Sequence, residues 1–224
     1  MPAHRKLALV IGGFYLVTFV TSIPALILKR SFLQGEGSIT ALHWAVILEI
    51  ILALACMGTA VAFYPVGRRH DPALAMGFVA SRTLEASAVF AGIVALLALA
   101  SIRTAHPGEG AVDSALEAIH DWAFLLGPGL LPAVNALLFG TLLYRARLVP
   151  RIIPMVGLIG APLLVLSAAG TILGVNDQVS PLAGLAALPI ALWEFGIGVW
   201  LILRGFRTSA VATPESAPAP RLMA

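Results

Sequence analysis

The chain alternates long apolar runs with short polar connections. Six runs reach the length of about 20 mostly apolar residues that a bilayer-crossing helix needs: Leu7–Leu28, Trp44–Tyr64, Ala73–Ser101, Trp122–Tyr144, Ile152–Leu173 and Pro181–Leu203. His4, Arg5 and Lys6 precede the first run. It is too long for the apolar stretch of a signal peptide and lacks a small-residue cleavage motif, so it predicts a retained span. After Phe206 the chain becomes small, polar and proline-rich, "RTSAVATPESAPAPRLMA". Such a composition predicts a disordered cytoplasmic tail over 207–224. Residues 1–206 then form a single all-α domain, a six-helix membrane bundle.

Composition agrees. The chain is 59% hydrophobic and 11% charged, whereas a soluble domain carries about 25% charged residues. It cannot cover itself with a solvated surface and is read as an integral membrane protein. The formal net charge is +3, but the basic residues are spread through the connections, so no nucleic-acid partner is expected. Cys56 is the single cysteine. It permits neither an internal disulfide nor a pair of thiolate ligands, and reads as a buried inert thiol.

Charge also sets direction. Of the 14 Lys and Arg residues, ten fall on one side of the spans: Arg5, Lys6, Arg68, Arg69, Arg145, Arg147, Arg151, Arg204, Arg207 and Arg221. Lys29, Arg30 and Arg103 fall on the other side, and Arg82 lies inside a span. Cytoplasmic connections collect basic residues, so both termini are expected in the cytoplasm. The longest outer connection, 102–121, is acidic through Glu109, Asp113, Glu117 and Asp121. Tyr64 and Tyr144 at inner ends, and Trp44 and Trp122 at outer ends, suit interfacial anchoring.

Four ionisable residues fall inside the spans: Glu49, Arg82, Glu85 and Glu194. A charge at the bilayer centre costs about 2.5–3.5 kcal/mol on insertion scales, so these groups should face the bundle interior. At 100° per residue, Ser81, Arg82, Glu85, Ala88 and Gly92 share a face of the third helix. Glu49 aligns with Ala45, Ala53, Cys56 and Ala60, and Glu194 with Ala187, Ala191, Gly198 and Gly205. Small residues mark close helix approach. Arg82 and Glu85 lie about 15 Å into their helix at 1.5 Å per residue, and Glu194 is matched in depth. Glu49 sits nearer the outer face. Arg82 and Glu85, three residues apart, pair along one helix. Glu194 then shares Arg82 or carries a proton. Three readings stay open at this cluster: a structural ion pair that fixes packing, a site that binds a ligand or handles protons, or charge left facing lipid by accident.

The fourth run contains "LLGPGLLPAVN". Pro128 and Pro132 each remove a backbone donor and bend a helix. Freed carbonyls and Asn135 are positioned to line a cavity, as broken helices at membrane depth do; a kink that only shapes the helix is the alternative. The histidines are His4, His43, His70, His106 and His120. None lies in the middle of a span, so axial haem ligation is not expected. His43, His106 and His120 fall on the outer side near Glu49 and Asp121. Without a short ligand spacing they read as solvated or capping loop residues. No G-x-S-x-G, phosphate-binding loop or C-x-x-C occurs. No catalytic residue, metal or cofactor is assigned.

Residues Leu137–Leu166, "LLFGTLLYRARLVPRIIPMVGLIGAPLLVL", together with Gly12, Gly13, Tyr15 and Leu16, the pair Arg82 and Glu85, and Glu194 ahead of Trp200 and Leu201, resemble a bacterial family called domain of unknown function 4386. The resemblance covers about residues 7 to 205. Ser81 departs from it, standing where the pattern has an aromatic residue. The resemblance implies a six-helix protein of the bacterial cytoplasmic (inner) membrane and no known reaction. The binding candidates are Arg82, Glu85, Glu194, Asn135 and Glu49. The expected partners are the lipid bilayer, a small ligand, ion or proton of unidentified nature and, in the structural or regulatory reading, a second copy of the chain. The binding reading predicts a cavity reaching Glu85 and Glu194. The structural one predicts a dry, closed core, and a membrane-embedded enzyme would need ligands clustered at His43, His106 and His120.

Overall fold

A computed structural model of the chain describes residues 3–105 and 110–207. His106 and Glu109, and the expected tail from 208 onward, lie outside the described residues. The helices are α1 (Ala3–Leu33), α2 (Ile39–Gly67), α3 (Pro72–Ala105), α4 (Gly110–Leu126), α5 (Leu131–Asn135), a π-helical turn (Ala136–Gly140), α6 (Thr141–Ala146), α7 (Ile152–Ile172) and α8 (Pro181–Leu203). With α4 to α6 taken as one interrupted span, six helices are long and apolar enough to cross a membrane. The fold is all-α.

Side chains at the connections fix the helix starts. Ser38 Oγ accepts from the Ala41 amide at 3.1 Å, Asp71 Oδ1 from Leu74 at 3.0 Å, and Ser180 Oγ from Ala183 at 3.2 Å. Each satisfies an amide that the first turn leaves unpaired. Gly35, at φ 78°, stops the turn after α1, a backbone region that glycine enters without a Cβ penalty.

The helices close into a ring: α1 packs on α2, α2 on α3, α3 on α4, α7 on α8, and α8 back on α1. Arg5 donates to the carbonyls of Leu201 at 2.9 Å and Ile202 at 2.5 Å. The two ends of the described chain therefore meet at one end of the bundle, here called the terminal end; the opposite one is the far end. Gly12 permits the crossing of α1 and α8, since a Cβ there would stand 2.7 Å from the Gly198 carbonyl oxygen.

The half of the bundle toward the terminal end is filled by aromatic rings. Phe139 stacks on Phe78 at 4.5 Å between centroids and meets Phe63 edge-on at 4.6 Å. Tyr15 and Trp193 close the group at 6.1 and 5.6 Å from Phe139. Trp193 lies against Gly157, where a Cβ would come within 2.7 Å of the indole ring.

Three expectations change. The fourth span is not one bent helix. It breaks at residues 127–130 and again loosens into the π turn, because Pro128 and Pro132 offer no amide to the preceding turns. The connection expected over 102–121 is mostly helical, with α3 reaching Ala105 and α4 starting at Gly110. Arg103 draws its acidic residues into that helix, binding Asp113 at 2.8 Å and also Glu117. Finally, α1 continues past Leu28 to Leu33, which places Lys29 inside a helix rather than in a connection.

In the far half, α4 packs along α3 and against no other helix to a comparable extent. The side between α4 and the α7–α8 pair is left open. At its rim Gln178 donates to the Asp121 carbonyl oxygen at 3.2 Å.

Candidate functional site

Arg82 projects from α3 into the middle of the bundle and is 2% exposed. Its Nη1 donates to Glu85 Oε2 at 3.0 Å and its Nη2 to Glu194 Oε1 at 2.5 Å. Cys56 Sγ lies 3.6 Å from Nη1. The guanidinium sits over the Tyr15 ring at 5.2 Å and the Phe78 ring at 5.8 Å, a cation–π arrangement. Asn135, on the last turn of α5, donates to Glu85 Oε2 at 2.6 Å. The break in the fourth span brings that amide to the carboxylate. Four of the five candidates therefore join one cluster, drawn from α3, α5 and α8.

The fifth does not. Glu49 binds Lys29 Nζ at 2.5 Å, and both are buried. Glu49 precedes Cys56 by seven residues on α2, which places this second pair about 10 Å nearer the far end at 1.5 Å per residue. Lys29 Nζ also stands 4.4 Å above the Phe124 ring. Sequence reading missed Lys29 because it ended the first span at the first basic residue. The signal for the true end was Gly35, a typical stop just past a helix.

His120 is also corrected. It is neither solvated nor a loop residue. It lies in α4, buried, with Nδ1 3.2 Å from the Gly92 carbonyl oxygen. The bare backbone of Gly92 lets the imidazole approach so closely: a Cβ there would meet Nδ1 at 3.1 Å. His43 is exposed. Among the described residues no group of three or more His, Cys, Asp or Glu is placed to hold a metal ion.

A cavity of about 360 Å³ descends from the far end to the cluster. Arg82, Glu85 and Glu194 lie at its deep end, and Pro128, Gly129 and Pro132 from the break form part of its wall. A second space, reaching Lys29, Glu49 and His120, shares Phe19, Ser22, Leu52 and Phe124 with it. The two spaces adjoin, one lined by the Arg82 cluster and the other by Lys29 and Glu49. Within the deep cluster exposure is unequal. The Glu194 side chain is 14% exposed, against 6% for Glu85 and 2% for Arg82. All three line the cavity, and Glu194 is the most exposed of them. The lower end is blocked by the aromatic group around Phe139, so the volume opens toward one side of the bundle.

Arg82 Nε, Asn135 Oδ1, Tyr15 Oη and Ser81 Oγ are buried without a protein hydrogen-bond partner. Buried polar atoms normally have partners, so the cluster retains unused hydrogen-bonding capacity around its ion pairs.

A family model described as "Domain of unknown function (DUF4386)" matches residues 10–205. No curated protein and no solved structure matches the chain.

Proposed function

Because the chain belongs to the DUF4386 family, whose description assigns no activity, we propose its function from the site alone: it is a membrane protein that binds a small ligand in the cavity above Arg82, Glu85 and Glu194. One observation carries this reading. The cavity ends on a charged cluster, with Glu194 partly exposed to it. A purely structural ion pair gains nothing from such a space, since buried pairs are favourable only when closely packed and fully hydrogen-bonded. Ligand sites combine mostly apolar walls with a few convergent polar groups, in volumes from about 300 Å³ upward. The apolar far half supplies the walls and the cluster supplies the polar groups.

Orientation follows from the basic residues. Arg68, Arg69, Arg145, Arg147 and Arg151 lie in or beside connections at the terminal end. With Lys29 taken into the bundle, the far-end connections hold fewer basic residues than sequence reading assigned them. The positive-inside rule then places the terminal end in the cytoplasm, in the inner membrane of a bacterium, with the cavity facing outward. The closed aromatic half makes this a site loaded from one side; passage across the bilayer would require that half to open.

Cysteine labelling tests the reading. Ser167 lines the cavity, while its neighbour Leu166 is 68% exposed on the lipid-facing side of α7. With Cys56→Ala as background, Ser167→Cys should react with a charged, membrane-impermeant thiosulfonate added outside intact cells. Leu166→Cys should not, because the thiolate that reacts forms in water and not in hydrocarbon. Reaction of Ser167→Cys no faster than that of Leu166→Cys would show a dry core and overturn the reading. Labelling only from the cytoplasmic side would reverse the orientation.

A further inference from the structure

The charges lining the cavity select the ligand's chemistry, on the reading that the cavity binds a ligand at all. At the deep end stand one guanidinium and two carboxylates, a formal sum of −1. Nearer the far end, Lys29 and Glu49 cancel each other. These five are the charged residues lining the two adjoining spaces. With both carboxylates ionised, the uncompensated charge is negative and lies at the floor.

Accessibility points the same way. Arg82 is the one group there able to receive an anion. Its two terminal nitrogens bind Glu85 and Glu194, its faces are covered by Tyr15 and Phe78, and Nε, the nitrogen left without a partner, is itself buried. Of the three charged residues that line the floor, Glu194 is the most exposed. A carboxylate with free acceptor capacity in an apolar surround takes a charged donor, because such hydrogen bonds are roughly twice as strong as neutral ones. An uncancelled buried charge also gains from any cation that neutralises it.

The remaining walls are mostly apolar, through Phe19, Leu52, Val89, Phe124, Leu125 and Leu164, with the uncharged polar side chains of Thr18, Ser22, Ser167 and Thr171 between them. The cavity lies in a gap between α4 and the α7–α8 pair, which do not pack on each other as the neighbouring helices do and are joined by the bridge from Gln178 to Asp121. A ligand with an apolar body can reach the site from the lipid phase through that gap.

We propose that the ligand is an amphipathic cation, an amine or ammonium carrying a hydrophobic group, whose positive end binds Glu194 and whose apolar part lies along Phe19, Phe124 and Leu164.

Three probes of matched shape separate the chemistries: benzylammonium, benzyl alcohol and benzoate. Binding is measured by equilibrium titration of the purified full-length protein in maltoside micelles, with protein-free micelles in parallel to correct for partition into detergent and Glu194→Gln titrated alongside. Benzylammonium should bind the parent about tenfold more tightly than benzyl alcohol, the size of one charge-assisted hydrogen bond, and benzoate should bind worst. Glu194→Gln, which keeps the side chain's size, should leave benzyl alcohol unchanged and abolish the advantage of the ammonium. Benzoate binding as well as benzylammonium, or an ammonium advantage that survives Glu194→Gln, would overturn the cation assignment while leaving a ligand cavity in place. Absence of binding by all three, together with an unlabelled Ser167→Cys, would remove the ligand cavity as well.

Discussion

Arg82→Ala is expected to be the most damaging single substitution at the bundle's centre. It removes the donor of two buried carboxylates at once: Glu85 at 3.0 Å and Glu194 at 2.5 Å. Removing one partner of a buried pair typically costs about 3–5 kcal/mol, because the other charge is stranded. Two acceptors are stranded here, in a site where the nearest remaining donor is the Asn135 amide. Glu85→Gln should be milder, about 1.5–3 kcal/mol for a lost charged hydrogen bond. Arg82 then keeps Glu194, and the new amide still accepts from Asn135. Melting of the two variants in detergent gives the order. A parent-like melting temperature for Arg82→Ala would mean that the arginine is not held by these carboxylates.

Lys29→Met is expected to follow closely. Glu49 is 5% exposed and takes its ion pair from Lys29 alone. The methionine fills most of the lysine's volume but leaves that carboxylate stranded, again at a cost of about 3–5 kcal/mol. Lys29→Met combined with Glu49→Met removes both charges, and should return the melting temperature to that of the parent or above it, since apolar residues of similar volume often replace a buried pair without loss. A double variant that melts as low as Lys29→Met alone would show that Lys29 acts through its place over the Phe124 ring rather than through Glu49.

The six spans were legible because apolar runs of bilayer length leave little choice of fold. The inward placement of Arg82, Glu85 and Glu194 was legible for a related reason: a charge within such a run is too costly to leave against lipid. Helical periodicity then predicted the pairing of Arg82 with Glu85 and matched the depth of Glu194. Asn135 was legible only as a residue beside a proline break. Which carboxylate it would meet depends on how α5 turns after residues 127–130, and no local pattern encodes that. Glu49 was legible as a buried charge nearer the outer face, but its partner, Lys29 of α1, was not. Lys29 had been read as part of a connection because a basic residue after an apolar run usually marks the membrane surface. Here the helix runs on to Leu33, and the lysine turns inward instead. His120 was read as a solvated or capping loop residue for a similar reason: the acidic stretch before it reads as a connection until Arg103 gathers Asp113 and Glu117 into a helix.

The central claim is that the charges at Arg82, Glu85 and Glu194 serve a ligand and are not needed by the fold. The most direct test is the melting temperature of the triple variant Arg82→Leu, Glu85→Leu, Glu194→Leu, measured with and without benzylammonium. Without the probe, it should melt close to the parent, because no charge is left stranded and leucine suits the surroundings, and the one group that loses its partner is the neutral Asn135 amide. With the probe, the parent should rise, as any protein does when a ligand binds its folded state, and the triple variant should not move. A triple variant that melts far below the parent, or one that rises with the probe as much as the parent does, would contradict the account.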